Sequence, residues 1–490
     1  MRFDLVLRNG RVFDGSGAEA VSADVGVVGE RIAAIDRIPA GLAEVEIDLR
    51  GQALSPGFID VHTHDDRALL AAPDMAPKTS QGVTTVITGN CGISLAPLVL
   101  KGTPPPPLDL IGDGRSYRYA RFGGYLDALD AAPAAVNAAC LVGHSTLRVG
   151  AMDALDRPAG DAELAAMRAR LKAALDDGAI GMSSGTFYPP AAAAPTAEVT
   201  ALAEIVAEAG GIYTTHMRDE TDGVADSLAE SFEIAERSGA PLVISHHKVA
   251  GRANHGRSAE TLPLIADAMK RHTVGLDAYP YVAASSILDA SRFDISERVV
   301  IAWSQPVPEA AGRDLAEIIA EWGVPAARAV ERLKPAGAVY FLMSEDDVRR
   351  ILAFPHTMIG SDGLPHDRHP HPRLWGTFPR VLGHYARDVG LFPLEEAIRR
   401  MTSLPASHFG LSGRGRLAQG SFADIVVFDP ETVIDRATFE DPAVPAAGID
   451  LVIVNGKTVW RDGAPTGARP GRALRRQDLI RQGEHDARRA

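Results

Sequence analysis

The strongest constraint in this 490-residue chain is a rhythm through its middle, where short apolar runs alternate with longer amphipathic stretches. Strand candidates lie at 58–63, 83–89, 138–143, 180–183, 212–215, 242–245, 274–278 and 357–360. Between several of them, apolar residues recur three and four apart, as Leu164, Met167, Leu171 and Leu175 do within 162–176. That period puts one apolar face on a helix, and 196–209 and 225–238 share it. Strand and helix alternating through eight repeats predicts a (β/α)8 TIM barrel in the α/β class. An open doubly wound sheet also alternates, but no Gly-rich dinucleotide or Walker loop follows any of these strands.

The two ends of the chain read differently. Short alternating runs at 3–7, 11–13, 25–28 and 31–35 are separated by turn signals at Asn9-Gly10 and Gly29-Glu30. The texture returns at 425–428, 451–454 and 458–461, with Asn455-Gly456 between the last two. Residues 1–56 and 410–480 are therefore expected to form one small split β-sandwich around a catalytic barrel at 57–409. The stretch between the seventh and eighth strands is too long for a loop and holds helical patterns at 315–322 and 326–333. It is expected to be an inserted subdomain, 282–345. The basic run of Arg472, Arg475, Arg476, Arg481, Arg488 and Arg489 is broken by acids and reads as solvated, with 481–490 a C-terminal tail.

Composition excludes several classes. Lys plus Arg number 50 against 63 Asp plus Glu, and the net charge of −13 argues against a nucleic-acid binder. No apolar run approaches the ~18 residues of a membrane span. Arg2, Asp4 and Arg8 interrupt any secretory h-region. The only cysteines, Cys91 and Cys140, make no disulfide framework and fit a reducing compartment, so a soluble cytoplasmic protein is expected.

Several strand candidates end in a residue able to bind metal or move a proton, where barrel enzymes carry their sites. The first ends in His62-Thr63-His64, the second in Gly89-Asn90-Cys91-Gly92 and the fifth in His216. The sixth ends in His246-His247-Lys248 and the eighth in Ser361-Asp362-Gly363. Residues i and i+2 of a strand share a face, so His62 and His64 can reach one ion. A single strand-end histidine is more often structural; the coincidence of six such residues at one barrel mouth predicts a metal site. Cys140 reads as core, and His144 as a pocket-lining residue with no defined task. His366, His369 and His371 sit among Pro365, Pro370 and Pro372, which predicts a stiff entrance loop rather than another metal site.

GFIDVHTHDD resembles the opening metal motif of the amidohydrolase superfamily, whose architecture is a barrel flanked by a split β-sandwich. TGNCGIS, GMSSGTFYPP, THMRDE, ISHHK, DAYPY and SDGLPHDRHPHPRLWGTFPR together resemble its N-acyl-D-amino-acid deacylase (D-aminoacylase) family. Many binuclear amidohydrolases carry a carboxylated Lys on the fourth strand; here that strand reads IGMSSG, and Cys91 can supply the missing anionic ligand. The resemblance implies a tight zinc held by Cys91, His216 and His246, with a second, weaker site at His62 and His64. His246 is preferred to His247 because adjacent strand residues face opposite ways.

The implied activity is zinc-dependent hydrolysis of an N-acyl-D-amino acid, a linear amide, to a carboxylate and a free D-amino acid. Asp362 is the expected general base, passing the proton of an activated water to the leaving amine. The substrate's α-carboxylate needs a cation. Lys248, two residues past His246, and Arg373, after the eighth strand, are the candidates, with Tyr188, Tyr279 and Ser285 as hydrogen-bond donors. A specialist for acidic side chains needs an extra cation beside the substrate; the insertion holds Arg292, Arg298 and Arg313, which the sequence does not place, and neutral, hydrophobic D-residues are the expected substrates. Two alternatives stay open: an amidohydrolase for a dipeptide, cyclic amide or N-carbamoyl compound, and a non-catalytic scaffold that keeps the fold.

Overall fold

The computed structural model describes residues 2–487. Eight parallel strands form the central sheet: Phe58–Asp60, Val83–Thr88, Asn137–Gly143, Gly181–Gly185, Ile212–His216, Leu242–Ile244, Val274–Ala278 and Thr357–Ile359. Each pairs with the next in chain order, so the sheet curls into a barrel with its first and eighth strands as the two ends. The pleat sorts their side chains. Ile59, Ile87, Ala139, Leu141, Ile212, Val243 and Met358 fill the interior, plugged by Phe409, Leu411, Leu474 and Leu479. Their neighbours Val86, Cys140, Val142, Tyr213 and Ile244 face outward into the helix layer, so Cys140 is core. The helices run Asp161–Asp177, Thr196–Glu208 and Val224–Ser238, within a residue or two of the amphipathic stretches.

The two chain ends share one nine-stranded sheet. Its join is Ala53–Pro56, which pairs antiparallel with Ile425–Phe428. The sheet closes over Leu7, Val25, Ile32, Leu54, Ile425, Val427 and Leu451. Two Asn-Gly pairs behave differently here. Asn455-Gly456 reverses the chain between Ile449–Val454 and Lys457–Arg461. Asn9-Gly10 makes no turn: it lies inside the strand Phe3–Val12, where the register shifts against a single neighbour. Asn9 takes φ 55°, so the left-handed residue serves a bulge.

Between the seventh and eighth strands, Ala283–Ile287, Arg298–Ser304 and Ala336–Phe341 form a three-stranded antiparallel sheet. Leu315–Trp322 and Ala326–Leu333 bury Leu315, Ile318, Val330 and Leu333 against it. The helices were legible; of the strands, AASSI has none of the β-branched density that marks one until its last residue, whereas RVVIAWS and AGAVYF carry that signal and were not assigned.

The solvated-tail reading is corrected. A helix, Arg476–Ala487, covers the chain end, and Leu479 is buried beneath the barrel. Arg475 pairs with Asp127 and Asp130, Arg472 with Glu30, and Arg476 donates to Ala209 O and Leu175 O. Arg475 and Arg476 pin the segment onto the barrel's helix layer and Arg472 ties it to the sandwich, while Arg481 is exposed and, among the described residues, pairs only with Asp478 of its own helix. Arg488 and Arg489 lie outside the described residues.

Candidate metal centre

The candidate ligands converge at the C-terminal mouth of the barrel, but the strands stop sooner than their sequences suggest. The first ends at Asp60 and the sixth at Ile244, so His62, His64 and His246 stand on irregular backbone beyond them. Cys91, His246 and Asp362 have φ of 53°, 35° and 50°, in a left-handed region that costs a non-glycine residue energy. Three such residues in one site are a signature of backbone shaped to aim side chains.

The Cys91 thiol is the hub. Its Sγ lies 3.2 Å from His62 Nε2 and 3.3 Å from His246 Nε2. Two overlapping groups result, Cys91 with His216 and His246, and Cys91 with His62, His64 and Asp362; within each, one donor atom per residue lies inside 4.8 Å of the others. Asp362 Oδ1 is 3.2 Å from His64 Nε2 and 3.5 Å from His62 Nε2. The sequence reading assigned this carboxylate only a proton; its position is also within ligand reach.

These residues fit a zinc ion. His216 is buried, yet neither ring nitrogen has a hydrogen-bond partner. Such orphaned groups are costly unless something else binds them. Burial drives the His216 imidazole well below its ordinary pKa, so it is neutral and its lone pair is free. Burial, reinforced by Asp362, holds the Cys91 thiol well above its ordinary value. A thiolate in this setting therefore calls for a cation, and Cys with two His is a donor set zinc favours.

Asp362 is held in the opposite state. Burial pushes its pKa up, but Arg373 and the neighbouring imidazoles pull harder and keep the carboxyl well below the usual range. Arg373 Nη1 meets Asp362 Oδ2 at 2.8 Å, Nη2 donates to Ser285 O at 3.2 Å, and the guanidinium lies 4.4 Å over the Tyr279 ring. Arg373, Ser285, Tyr279 and Asp362 are thus brought together, and the buried Tyr279 hydroxyl has no partner. Tyr188 packs its ring 4.8 Å from His216, with its hydroxyl 3.0 Å from Ser286 Oγ of the insertion.

Lys248 follows the left-handed turn at His246. Its Nζ donates to Glu220 Oε1 at 2.6 Å, lies 2.8 Å from His246 Nδ1, and stands 5.8 Å from the Tyr279 ring that Arg373 also faces. Glu220 Oε1 is itself 3.1 Å from His246 Nδ1, which leaves Nε2 toward Cys91. His247 points the other way, to Thr261 Oγ1 at 2.9 Å. Glu220 and Asp277 were missed by sequence reasoning. Asp277 Oδ1 accepts from His246 N at 3.0 Å, Oδ2 stands 3.5 Å from His62 Nδ1, and burial lifts its pKa to about 7. Both lie in segments that had drawn attention, THMRDE and DAYPY, but an acid that orients a ligand has no spacing of its own.

The remaining histidines disperse. His366 contacts Arg67 Nη2 at 2.9 Å, His369 contacts Phe439 O at 2.7 Å, and His371 contacts Ala283 O at 3.0 Å. Arg298 and Arg313 pair with Asp314 and Glu321. Arg292 stacks 4.4 Å over Phe187, whose ring lies 5.5 Å from His216.

Comparison with known proteins agrees with this geometry. Residues 45–460 match the Amidohydrolase family. The chain is 58% identical to a D-aminoacylase of Alcaligenes xylosoxydans xylosoxydans, covering 97% of this chain and 98% of that one. A solved D-aminoacylase, described with a binuclear metal center showing one-metal activation and second-metal attenuation, superposes with TM-score 0.95. It is 57% identical over 97% of this chain and 100% of its own. An N-acyl-D-glutamate deacylase from Bordetella bronchiseptica, complexed with zinc and a phosphonate mimic of the tetrahedral intermediate, has TM-score 0.94 and 46% identity over 97% and 100% of the two chains. The chain belongs to the N-acyl-D-amino-acid deacylase (D-aminoacylase) family of the amidohydrolases.

Proposed function

We propose that this protein is a zinc-dependent hydrolase that cleaves N-acyl-D-amino acids to a carboxylate and a free D-amino acid. The observation that carries the reading is the pairing, in one buried pocket, of a Cys–His–His donor set with a carboxylate held ionised by an arginine. Cys91, His216 and His246 would hold the tight zinc, and His62 and His64 a second. When bound, zinc there supplies Lewis acidity, lowering the pKa of water from about 15.7 to about 7 and polarising the acyl carbonyl.

The chain's own residues supply the rest. Asp362 Oδ2 is committed to Arg373, and Oδ1, 3.2 Å from His64 Nε2 at the second metal pair, would take the proton of the attacking water and return it to the amide nitrogen as the C–N bond breaks. A carboxyl kept ionised by Arg373 is ready as a base without prior deprotonation. Arg373 and the unpartnered Tyr279 hydroxyl would receive the substrate's α-carboxylate, with Ser285 and Tyr188 completing the wall. Lys248 acts through Glu220 and His246 in this scheme, orienting a ligand.

Neutral, hydrophobic D-residues are the proposed substrates, since Arg298 and Arg313 of the insertion are already paired with Asp314 and Glu321. A second reading, acidic D side chains, is favoured by Arg292, which lies over Phe187 beside His216 and has no carboxylate partner among the described residues. No helix among the described residues is long and apolar enough to cross a membrane. A cytoplasmic location is proposed from two buried, unpaired cysteines.

The test is amine release from matched N-acetyl-D- and N-acetyl-L-amino acids (Met, Leu, Glu, Asp) with zinc supplied. Turnover confined to the D-series is expected, with the side-chain order choosing between the readings. No turnover of either series by zinc-loaded protein would move the function to another amide or a non-catalytic role.

A further inference from the structure

Ladder hydrogen bonds join every adjacent pair of barrel strands except the first and the eighth. Across that seam, among the described residues, the main chain makes one bridge, Thr63 to Gly363, and a hydrogen bond from Asp362 N to His62 O at 2.8 Å. Yet the seam carries His62, His64 and Asp362. Its geometry decides how the Asp362 carboxylate meets both imidazoles.

A buried ammonium sits under the seam. Lys78, on the short helix Ala76–Thr79, is fully buried. Its Nζ donates to Asp60 Oδ2 and to Ser361 Oγ, each at 2.8 Å, and pairs with Asp65 Oδ2 at 3.3 Å. Asp60 ends the first strand two residues before His62, Asp65 follows His64, and Ser361 precedes Asp362. Asp60 Oδ1 in turn accepts from Ser361 N at 2.8 Å and from His62 N at 3.4 Å. One cation therefore grips both banks of the seam, through residues beside every functional group there. It makes no hydrogen bond or ion pair to those groups themselves.

Burying an ammonium with two carboxylates is poorly explained as a stability device, since desolvation offsets much of the attraction and an apolar side chain could fill the volume. What the ion cluster adds is direction, because each bond fixes one backbone segment against another. We infer that Lys78 is a positioning residue that sets Ser361-Asp362 against His62 and His64, holding the proton-carrying carboxylate and the second metal pair at working distance. This inference rests on the zinc-hydrolase reading above.

The test compares the full-length protein with Lys78→Met. It reads kcat and KM on N-acetyl-D-methionine at one equivalent of zinc, and titrates zinc alone into the metal-stripped protein. The expected result is a kcat lower by about tenfold or more with KM within about twofold, a tight first equivalent, and a second equivalent weakened about tenfold. Native kcat and native second-equivalent affinity in folded K78M protein overturn the inference, whatever happens to its melting temperature. Where K78M fails to fold, Lys78→Met with Asp60→Asn and Asp65→Asn removes both bare charges. Impaired kcat and second-site affinity in that folded triple variant support positioning; native values of both overturn it. If the wild type hydrolyses no N-acyl-D-amino acid, the hydrolase reading fails, and the zinc titration alone still decides the role of Lys78.

Discussion

His144 and His216 both stand at the ends of barrel strands and both are buried, yet they lie in opposite environments. His144 Nε2 meets Glu198 Oε1 at 3.0 Å, and Arg148 Nη1 pairs with the same oxygen. The other oxygen accepts from Ala159 N at 3.0 Å. Arg148 spends its remaining donors on carbonyls, Pro190 O at 2.6 Å and Arg157 O at 2.6 Å. Only His144 Nδ1 is left over. This cluster is a strut: its charges end on partners, and it ties the loop behind Tyr188 to the barrel. Around His216 the donors converge on one another, a thiol and neutral imidazoles with little to exchange. Among buried polar groups, satisfied networks rigidify, whereas convergent unsatisfied ones mark where a ligand belongs.

Mutation should separate the two clusters. The largest effect is expected from Cys91→Ala, which removes the hub of the unsatisfied cluster. Zinc affinity and activity should both fall by more than about 100-fold, beyond what loss of an outer partner costs. Unchanged zinc content by metal analysis would sink the ligand assignment. Asp362→Asn should come next, keeping the tight zinc while kcat drops about 10²-fold or more, since the proton carrier is gone. Near-native kcat in that variant would return Asp362 to a ligand or turn role.

Glu198→Gln should touch activity least and stability most. Breaking a buried pair costs about 3 kcal/mol, read by denaturant unfolding, with zinc content and kcat of the folded protein unchanged. Its pH dependence has a definite sign. Burial raises the Glu198 pKa, but His144 and Arg148 outweigh it and bring the folded value to about 2, below the unfolded 4.5. The carboxylate's contribution is therefore present in full above pH 4.5 and is lost as pH falls through about 2. The gap between variant and wild type should close over that window. A gap that persists at the acid end would mean that shape, not charge, carries the strut.

Much of this was legible in the chain. The eight short runs located the barrel because parallel strands buried on both faces are mostly apolar, even with Ser183, Ser184, Thr214 and Thr215 buried among them. Helix boundaries such as Leu315–Trp322 followed from period and turn residues. His62, His64, Cys91, His216, His246 and Asp362 could be gathered because strand ends of a barrel share one mouth. What failed did so where local pattern gives no direction. Asn9-Gly10 offered the same dipeptide as Asn455-Gly456, and only its neighbour strand made it a bulge. Lys248 gave no hint in the chain of its partner Glu220, which it meets after the left-handed residue His246.

The sequence by itself therefore determined the barrel and gathered six candidate metal-binding residues at its mouth, while the assignment of the chemistry came with the family motifs. The barrel follows from side-chain periodicity and the candidates from residue type at strand ends, which are properties of the chain. Tertiary structure alone decided which buried charges are satisfied and which converge. Glu198 closes on Arg148, Glu220 and Asp277 stand behind the ligands, and Lys78 spans the seam through Asp60 and Ser361. Ion pairs and hydrogen bonds alike depend on distance in space and carry no record of separation along the chain, so partners such as Lys78 and Ser361 meet only once the strands have closed.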